Sequence, residues 1–175
     1  RLKNAGTDTL LMVGNVGPSA QVVKSLDRMD WDVPIVSHWG PAGGRFSELA
    51  GPNASRVHFI QTYVFTEHNS AKGDSVLAAL KQRFPEIKSL ADVTPAVGIA
   101  NAYDAMHLAA AAIEKAGDTQ GTAVRDGFYA IDNYQGLIKD YQQPFTPAKH
   151  DALGPDDYVF TQFVEPIARV ALGAI

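Results

Sequence analysis

The stretch that decides the fold is residues 10–40, LLMVGNVGPSAQVVKSLDRMDWDVPIVSHWG. Residues 10–13 form a short apolar run between glycine-containing turns, which is typical of a strand buried on both faces of a parallel sheet. Apolar residues then recur at helical spacing, with Ser19 as the predicted N-cap. Residues 33–36 form the next apolar run. The stretch therefore predicts a strand, a helix and a second parallel strand.

Each of the two predicted strands is followed by a loop with polar and aromatic residues. In an open parallel sheet, ligands bind outside the carboxyl ends of the strands. We therefore predict that the two loops lie side by side on one edge of the sheet and form the functional site. The candidate ligand-binding residues in these loops are Asn15, Val16, Gly17, Ser37, His38, Trp39 and Gly40.

Composition narrows the class of protein. The chain has 175 residues, enough for one domain or two small ones, and its net charge is −4. The acidic balance and the lack of a basic run argue against nucleic acid as a partner. The absence of cysteine excludes disulfides and thiolate metal sites, and is compatible with cytoplasm or periplasm. The longest apolar stretch, which includes residues 109–113, is too short to cross a bilayer.

Enzymatic chemistry has little support in the sequence. The five histidines are scattered without metal-ligand spacing, and no Gly-x-Ser-x-Gly elbow occurs. Residues 14–17, GNVG, follow a strand but lack the full dinucleotide fingerprint. We therefore predict no catalytic residues, no metal and no cofactor, and a small α/β hydrolase or transferase is disfavoured.

The rest of the chain continues the alternation of strands and helices. A third strand at residues 57–65 completes a β-α-β-α-β order, which implies right-handed parallel crossovers. The later pattern predicts helices at residues 71–84, 95–115 and from about 119 to 131, and strands at residues 136–141 and 158–164. Residues 1–6 look like the last turn of a helix closed by Gly6. Without an initiator Met or signal peptide, the chain is expected to be a fragment.

Three stretches carry a resemblance to a known family. They are GTDTLL at residues 6–11 followed by the strand at 33–36, FSELAG at 46–51 followed by the strand at 57–59, and AYDA at 102–105 opening an alanine-rich helix. In order and spacing they resemble the C-terminal half of a type 1 periplasmic-binding protein. The similarity is to the branched-chain amino acid (Leu/Ile/Val) receptor family of ABC transporters.

The resemblance implies two Rossmann-like lobes joined by three crossing strands, with a solute held between them. Residues 1–65 would belong to the second lobe, 66–135 to the helical part of the first, and 136–175 to a crossover that returns to the second. It implies a periplasmic protein with an upstream signal peptide, which binds a small organic solute and delivers it to a membrane permease. The solute would be an amino acid or an aromatic or carboxylic acid. The alternative is a ligand-sensing regulatory or receptor module with the same fold.

The resemblance also bears on individual residues. Trp39 lies near the position where amino-acid-binding members carry an acidic residue. An indole cannot form the ion pair with an ammonium group, but it can stack on a ring or cover an apolar body; otherwise Trp39 belongs to the core. His38 either donates to a solute carboxylate or bonds a nearby carbonyl. Asn15 and Val16 lie where the family places a solute-covering aromatic, and Asn15 either binds solute or closes the turn.

Three further residues are candidates for the solute site. Tyr63, at the end of the third strand, is expected either at the cleft or in hinge packing. Gly98 and Asn101 lie near the start of the long helix, where Gly98 offers only its backbone and Asn101 is otherwise a surface or back-bonded residue. Because the predicted helices at 71–84 and 95–115 would lack their partner sheet, a fragment of this kind is expected to self-associate.

Overall fold

Five helices and seven strands build the described part of the chain. The structure is a computed structural model that describes residues 1–164 and the backbone of residues 168–172. The helices are α1 Val16–Arg28, α2 Phe46–Ala50, α3 Ala71–Arg83, α4 Ala96–Ala116 and α5 Gly121–Tyr129. The strands are β1 Leu10–Met12, β2 Ile35–Ser37, β3 Val57–Gln61, β4 Asn133–Gln135, β5 Asp140–Gln142, β6 Val159–Val164 and β7 Ala168–Leu172. Short 3₁₀ turns occur at Lys3–Ala5, Gly40–Ala42, Gly51–Arg56, Leu90–Asp92 and Pro155–Asp157.

The chain divides into two units. Unit 1 comprises Arg1–Val97 and Val159–Ile175, and unit 2 comprises Gly98–Tyr158. α3 and the loop that follows it belong to the same unit as the parallel strands. The assignment of the chain to lobes of a larger protein stays a prediction.

Unit 1 is built on a five-stranded sheet in the order β1-β2-β3-β6-β7. The first three strands are parallel, with Met12 opposite Ser37 and Ser37 opposite Phe59. β6 runs antiparallel to β3, and β7 antiparallel to β6. The predicted fold class, an α/β fold with a Rossmann-like sheet and flanking helices, is confirmed, with two antiparallel strands added to the parallel core.

The core of unit 1 lies on one face of this sheet. Alternate strand residues point to this face, so Ile35, Val57 and Phe59 are fully buried. The amphipathic α1 covers them with Val23 and Leu26. The residues that complete this core include Met12, Ala20, Val33, Ala42, Phe46, Ala50, Ala54 and Phe163.

Two predicted features at the start of the chain have different outcomes. Gly6 has φ 76° and ends the 3₁₀ turn Lys3–Ala5, as predicted for a helix-ending glycine. The prediction of Ser19 as N-cap is wrong. Asn15 is the N-cap, because its carbonyl already accepts the Ser19 N–H at 3.0 Å. The Ser19 hydroxyl instead donates to the Gly14 carbonyl at 2.8 Å.

Two predicted strands are corrected by the structure. The third strand ends at Gln61 rather than residue 65, because its pairing with β6 ends with Gln61 opposite Val159. The single strand predicted at residues 136–141 is wrong. That segment holds the turn of a β4–β5 hairpin, in which the Gly136 N–H donates to the Lys139 carbonyl at 2.9 Å. The predicted strand at 158–164 is confirmed as Val159–Val164.

A buried carboxylate organises unit 2. Asp104, on α4, is 1% exposed and accepts three hydrogen bonds from the hairpin region. Its donors are the Leu137 N–H at 2.5 Å, the Ile138 N–H at 2.9 Å and the Tyr141 hydroxyl at 2.9 Å. Burial, followed by the bond to Asp104, raises the pKa of Tyr141, so its hydroxyl stays a donor. The carboxylate therefore attaches α4 to the hairpin.

An ion pair beside the hairpin makes unit 2 sensitive to acid. Lys139 Nζ lies 2.7 Å from each Asp157 carboxylate oxygen, and Oδ2 also accepts the Gly154 N–H at 2.6 Å. Burial alone would raise the pKa of Asp157, but the Gly154 and Lys139 donors outweigh it and lower the pKa. The stabilisation is therefore present above the ordinary Asp pKa of about 3.9 and lost as pH falls toward the lower folded value.

We expect Asp157→Asn to destabilise unit 2 near neutral pH and to lose this effect in acid. The difference in free energy of unfolding from the parent should be constant above about pH 5 and shrink below about pH 4. Denaturant unfolding across this range measures it, with the exposed neighbour Asp156→Asn as the matched control. A difference that stays constant down to pH 2 would show that the ion pair does not carry this stability.

Candidate functional site

Three loops leave the carboxyl ends of the parallel strands of unit 1. They are residues 13–17 after β1, 38–44 after β2 and 62–66 after β3, and together they are called the rim. The short strands bring the loops together, since β1 pairs with β2 and β2 with β3 in register.

The first two rim loops touch, as the sequence predicts. The buried Ser37 hydroxyl donates to the Met12 carbonyl at 2.7 Å and links the two strand ends. Val16 Cγ2 faces the second loop, 3.7 Å from where a Cβ on Gly44 would be. Because the Ser37 proton is committed to Met12, Ser37 holds the rim together rather than presenting its hydroxyl outward.

The ring of His38 is fixed by the loop that follows it. Its Nδ1 accepts the Gly40 N–H at 2.8 Å, so the alternative prediction that it bonds a carbonyl is wrong. A neutral imidazole that accepts at Nδ1 carries its proton on Nε2. His38 is partly buried, and its Nε2 has no protein partner in the described residues. The rim therefore holds a hydrogen-bond donor in a defined tautomer.

Gly40 makes this arrangement possible. A Cβ at this position would fall inside the contact radius of both the Gly14 carbonyl oxygen and the His38 ring. Only glycine lets the loops after β1 and β2 approach this closely while the imidazole folds over its own backbone. The close approach of Gly40 to the Gly14 carbonyl oxygen joins the two loops into one surface.

Trp39 lies outside the core. Its side chain is 43% exposed, whereas Trp31 packs against the core of unit 1, so the core alternative for Trp39 is wrong. The Trp39 carbonyl accepts the Ala42 N–H at 2.8 Å, which starts the 3₁₀ turn Gly40–Ala42. An indole held at a turn with this much exposure offers a flat apolar surface on the rim.

The first rim loop presents small groups. Asn15 and Gly17 are exposed and Val16 is partly buried. The Asn15 side chain makes no capping bond to α1, and its carbonyl alone closes the first helical turn. A role of these three residues in binding solute stays a prediction.

The other predicted site residues have different surroundings. Tyr63 packs edge-on against Phe65, with ring centroids 5.0 Å apart, and its hydroxyl lies 2.5 Å from where a Cβ on Gly73 would be. Tyr63 therefore packs within unit 1, and a role in hinge packing stays a prediction. Gly98 and Asn101 lie in the first turns of α4 in unit 2, exposed and partly buried respectively. For all three, contact with a solute stays a prediction.

The rim has no formal charge of its own. Its loops read VGNVG, HWGPAGG and TYVFT, without Asp, Glu, Lys or Arg. The next charges after the second loop, Arg45 and Glu48, are paired with each other at 2.6 Å between Nε and Oε2. The lack of charged residues is visible in the sequence, but it can be assigned to the rim only once the strand ends are known.

Sequence reasoning missed a buried polar chain at the end of β3. Gln61 is fully buried, and its Nε2 donates to Thr161 Oγ1 at 3.3 Å. Thr161 Oγ1 donates in turn to the Phe59 carbonyl at 2.8 Å. The two side chains are 100 residues apart in sequence, so no local pattern reveals the contact. It secures β6 beside β3 just below the rim.

A cavity of unit 1 lies at the edge opposite the rim. It has a volume of about 670 Å³ and is formed where the turn before β3 meets the end of β6. Its lining includes Gly51, Pro52, Ser55 and Phe163. In the described part of the chain, no three His, Cys, Asp or Glu side chains are arranged to hold a metal ion. No helix there is long and apolar enough to span a membrane.

The mostly parallel sheet with flanking helices is an α/β architecture, and in such sheets ligands bind outside the carboxyl ends of the strands. A family model described as periplasmic binding protein matches residues 1–163. The chain therefore belongs to the periplasmic binding protein family, which is typically non-enzymatic. No curated protein sequence matches the chain.

Solved structures share the fold. A type 1 periplasmic binding protein from Bordetella pertussis Tohama I has a TM-score of 0.80 at 21% identity, over 98% of this chain and 48% of that one. The branched-chain amino acid transporter substrate-binding protein LivJ from Streptococcus pneumoniae, in complex with isoleucine, has a TM-score of 0.69 at 22% identity. This match covers 97% of this chain and 46% of that one. A solute-binding protein of an ABC transporter from R. palustris, in complex with benzoate, has a TM-score of 0.69 at 13% identity. This match covers 98% of this chain and 44% of that one. The chain thus spans about half the length of these relatives.

Proposed function

We propose that this chain is the C-terminal half of the solute-binding component of an ABC importer, related to the branched-chain amino acid receptors. The family match and the similarity to transporter binding proteins for isoleucine and benzoate support the proposal. The intact protein would act in the periplasm and pass its solute to a membrane permease. The rim of unit 1 would form one wall of the solute site.

The observation that carries the proposal is the pairing of Trp39 with His38 on an uncharged rim. Trp39 offers an exposed apolar face, and His38 offers a fixed donor beside it. Solute sites are mostly apolar, with a few precisely placed polar groups, and this pairing has that character.

Binding would work by hinge closure. A solute shifts a protein toward the closed state when only that state gives it contacts from both walls. The rim would supply one set of contacts, and the half of the protein that this chain does not span would supply much of the other. The permease would then receive the closed, loaded form.

A thermal-shift screen of the full-length protein tests the proposal. The panel contains amino acids, fatty acids, aromatic acids and amides. A true solute present at 100 times its Kd should add about 2.7 kcal/mol to the free energy of unfolding. Hits are verified by calorimetry with the purified protein. A cooperative melt that no compound of the panel shifts would contradict a solute-binding role of this kind.

A further inference from the structure

We propose that the rim selects an organic carboxylate that lacks an α-ammonium group. In this assignment the carboxylate accepts a hydrogen bond from His38 Nε2, and the apolar body of the solute lies on Trp39. The inference rests on the proposed function and narrows its solute from acids in general to those without an amino group.

The first step is that the three rim loops supply no partner for a cation. A buried ammonium group needs a carboxylate or several acceptors, because desolvation of an unpaired charge is costly. The rim loops contain no carboxylate, and Glu48 beyond the second loop is engaged by Arg45. The first carboxylate after β3 is the exposed Glu67, six residues beyond the strand end.

A further segment that contacts the rim, residues 90–97, also offers no free carboxylate to a cation. Thr94 Oγ1 donates to the Ala42 carbonyl at 3.1 Å and brings residues 90–97 against the second rim loop. The carboxylate of this segment is Asp92. Its Oδ2 already accepts the Lys88 N–H at 2.9 Å and the Ser89 N–H and hydroxyl at 2.7 and 3.0 Å. These bonds lower the pKa of Asp92 and hold its charge within its own turn.

The second step is the character of His38. With Nδ1 accepting from Gly40, the neutral ring can act toward a solute only as an Nε2–H donor. A carboxylate is the strongest common acceptor for such a donor, because a charge-assisted hydrogen bond is about twice as strong as a neutral one. The N-terminus of α1 follows the first rim loop, and a helix N-terminus favours negative charge.

The third step assigns Gly40 as a positioning residue. Its N–H holds the imidazole in the donor tautomer, and its lack of a Cβ leaves room for the ring and for the Gly14 carbonyl. Gly43, in the same loop, is a matched control. A Cβ there would make only ordinary contacts, 3.8 Å from the Gly40 carbonyl oxygen and 3.9 Å from Val16 Cγ2.

Matched solute pairs test the class without any mutation. Calorimetry with the full-length protein compares leucine with 4-methylpentanoate, and phenylalanine with 3-phenylpropanoate. We expect the des-amino acid of at least one pair to bind about ten-fold or more tightly than its amino acid. If the amino acids bind as tightly or more tightly, the inference is overturned while the proposed function stands. If neither member of either pair binds, the inference is also overturned, and the wider screen decides the proposed function.

Variants test the assigned residues on the same acid. His38→Ala should weaken binding of the des-amino acid roughly ten- to hundred-fold, the range for a hydrogen bond to a charged group. Gly40→Ala should weaken it in the same direction, and by more than Gly43→Ala, whose added Cβ meets only ordinary contacts. Glu67→Gln should have no effect. Unchanged binding by His38→Ala with its melting temperature intact, or weaker binding by Glu67→Gln, would overturn the assignment.

Discussion

Alanine in place of Asp104 should lower the free energy of unfolding of unit 2 by about 3–5 kcal/mol. The substitution leaves the buried amides of Leu137 and Ile138 and the Tyr141 hydroxyl without their acceptor. It also leaves a cavity beneath the hairpin turn. Hydrogen exchange of the Leu137 and Ile138 amides in the full-length protein measures the effect where it arises.

A control on the same helix separates this effect from helix propensity. Glu114 is exposed on α4, and Glu114→Ala should change stability by less than about 0.5 kcal/mol. If Asp104→Ala leaves the two amides as protected as in the parent protein, the carboxylate does not hold the hairpin and our description of unit 2 is wrong.

Truncation of Phe46 to alanine should cost unit 1 about 3–5 kcal/mol of unfolding free energy. The Phe46 ring is fully buried and stacks on Phe163, with ring centroids 5.4 Å apart. The centroid of the Phe163 ring lies in turn 5.0 Å from that of Phe59. This three-ring contact ties α2, and with it the end of the second rim loop, to the sheet. Denaturant unfolding of the full-length protein, followed by exchange of the core amides of β3, gives the measurement.

The matched control for Phe46 is Leu49 on the same short helix. Leu49 is 42% exposed, so Leu49→Ala should cost less than about 1 kcal/mol. Equal effects of the two substitutions would mean that α2 is held by something other than its aromatic contact with the sheet.

Much of the fold could be predicted because apolar runs and helical periodicity are local signals. The parallel strands of unit 1 and the long helix α4 lie where these patterns place them. Strand ends were predicted less well, since they depend on pairing partners. The third strand stops at Gln61 because β6, about a hundred residues later, pairs no further. The hairpin at Asn133–Gln142 was missed because its turn is fixed by Asp104 on another element.

The site could be predicted only in outline. Adjacency of the rim loops follows from the rule that parallel strands end at one edge, and the structure confirms it for the contact between Gly14 and Gly40. The partner of His38 could not be foreseen, because the bond to the Gly40 amide depends on the backbone path through the turn. The same holds for Gln61 and Thr161, which meet only in the folded sheet.

Exposed apolar side chains bear on the expected self-association of the fragment. Met106 on α4 is 71% exposed, and Leu11 on β1 is 77% exposed. Apolar surface of this kind favours association with another copy or with further protein. Self-association of the 175-residue chain stays a prediction, which sedimentation at micromolar concentration would settle.

The central claim is that the rim of unit 1 contacts the solute. Calorimetry of solute binding by the Trp39→Ala protein tests this claim most directly. The full-length protein is titrated with the tightest-binding compound of the screen, alongside Trp31→Phe as the control for a tryptophan that packs against the core. We predict that Trp39→Ala weakens binding by about 1–3 kcal/mol, the range for a buried aromatic anchor, and that Trp31→Phe leaves it unchanged. Parent-like affinity in a folded Trp39→Ala protein would contradict the claim.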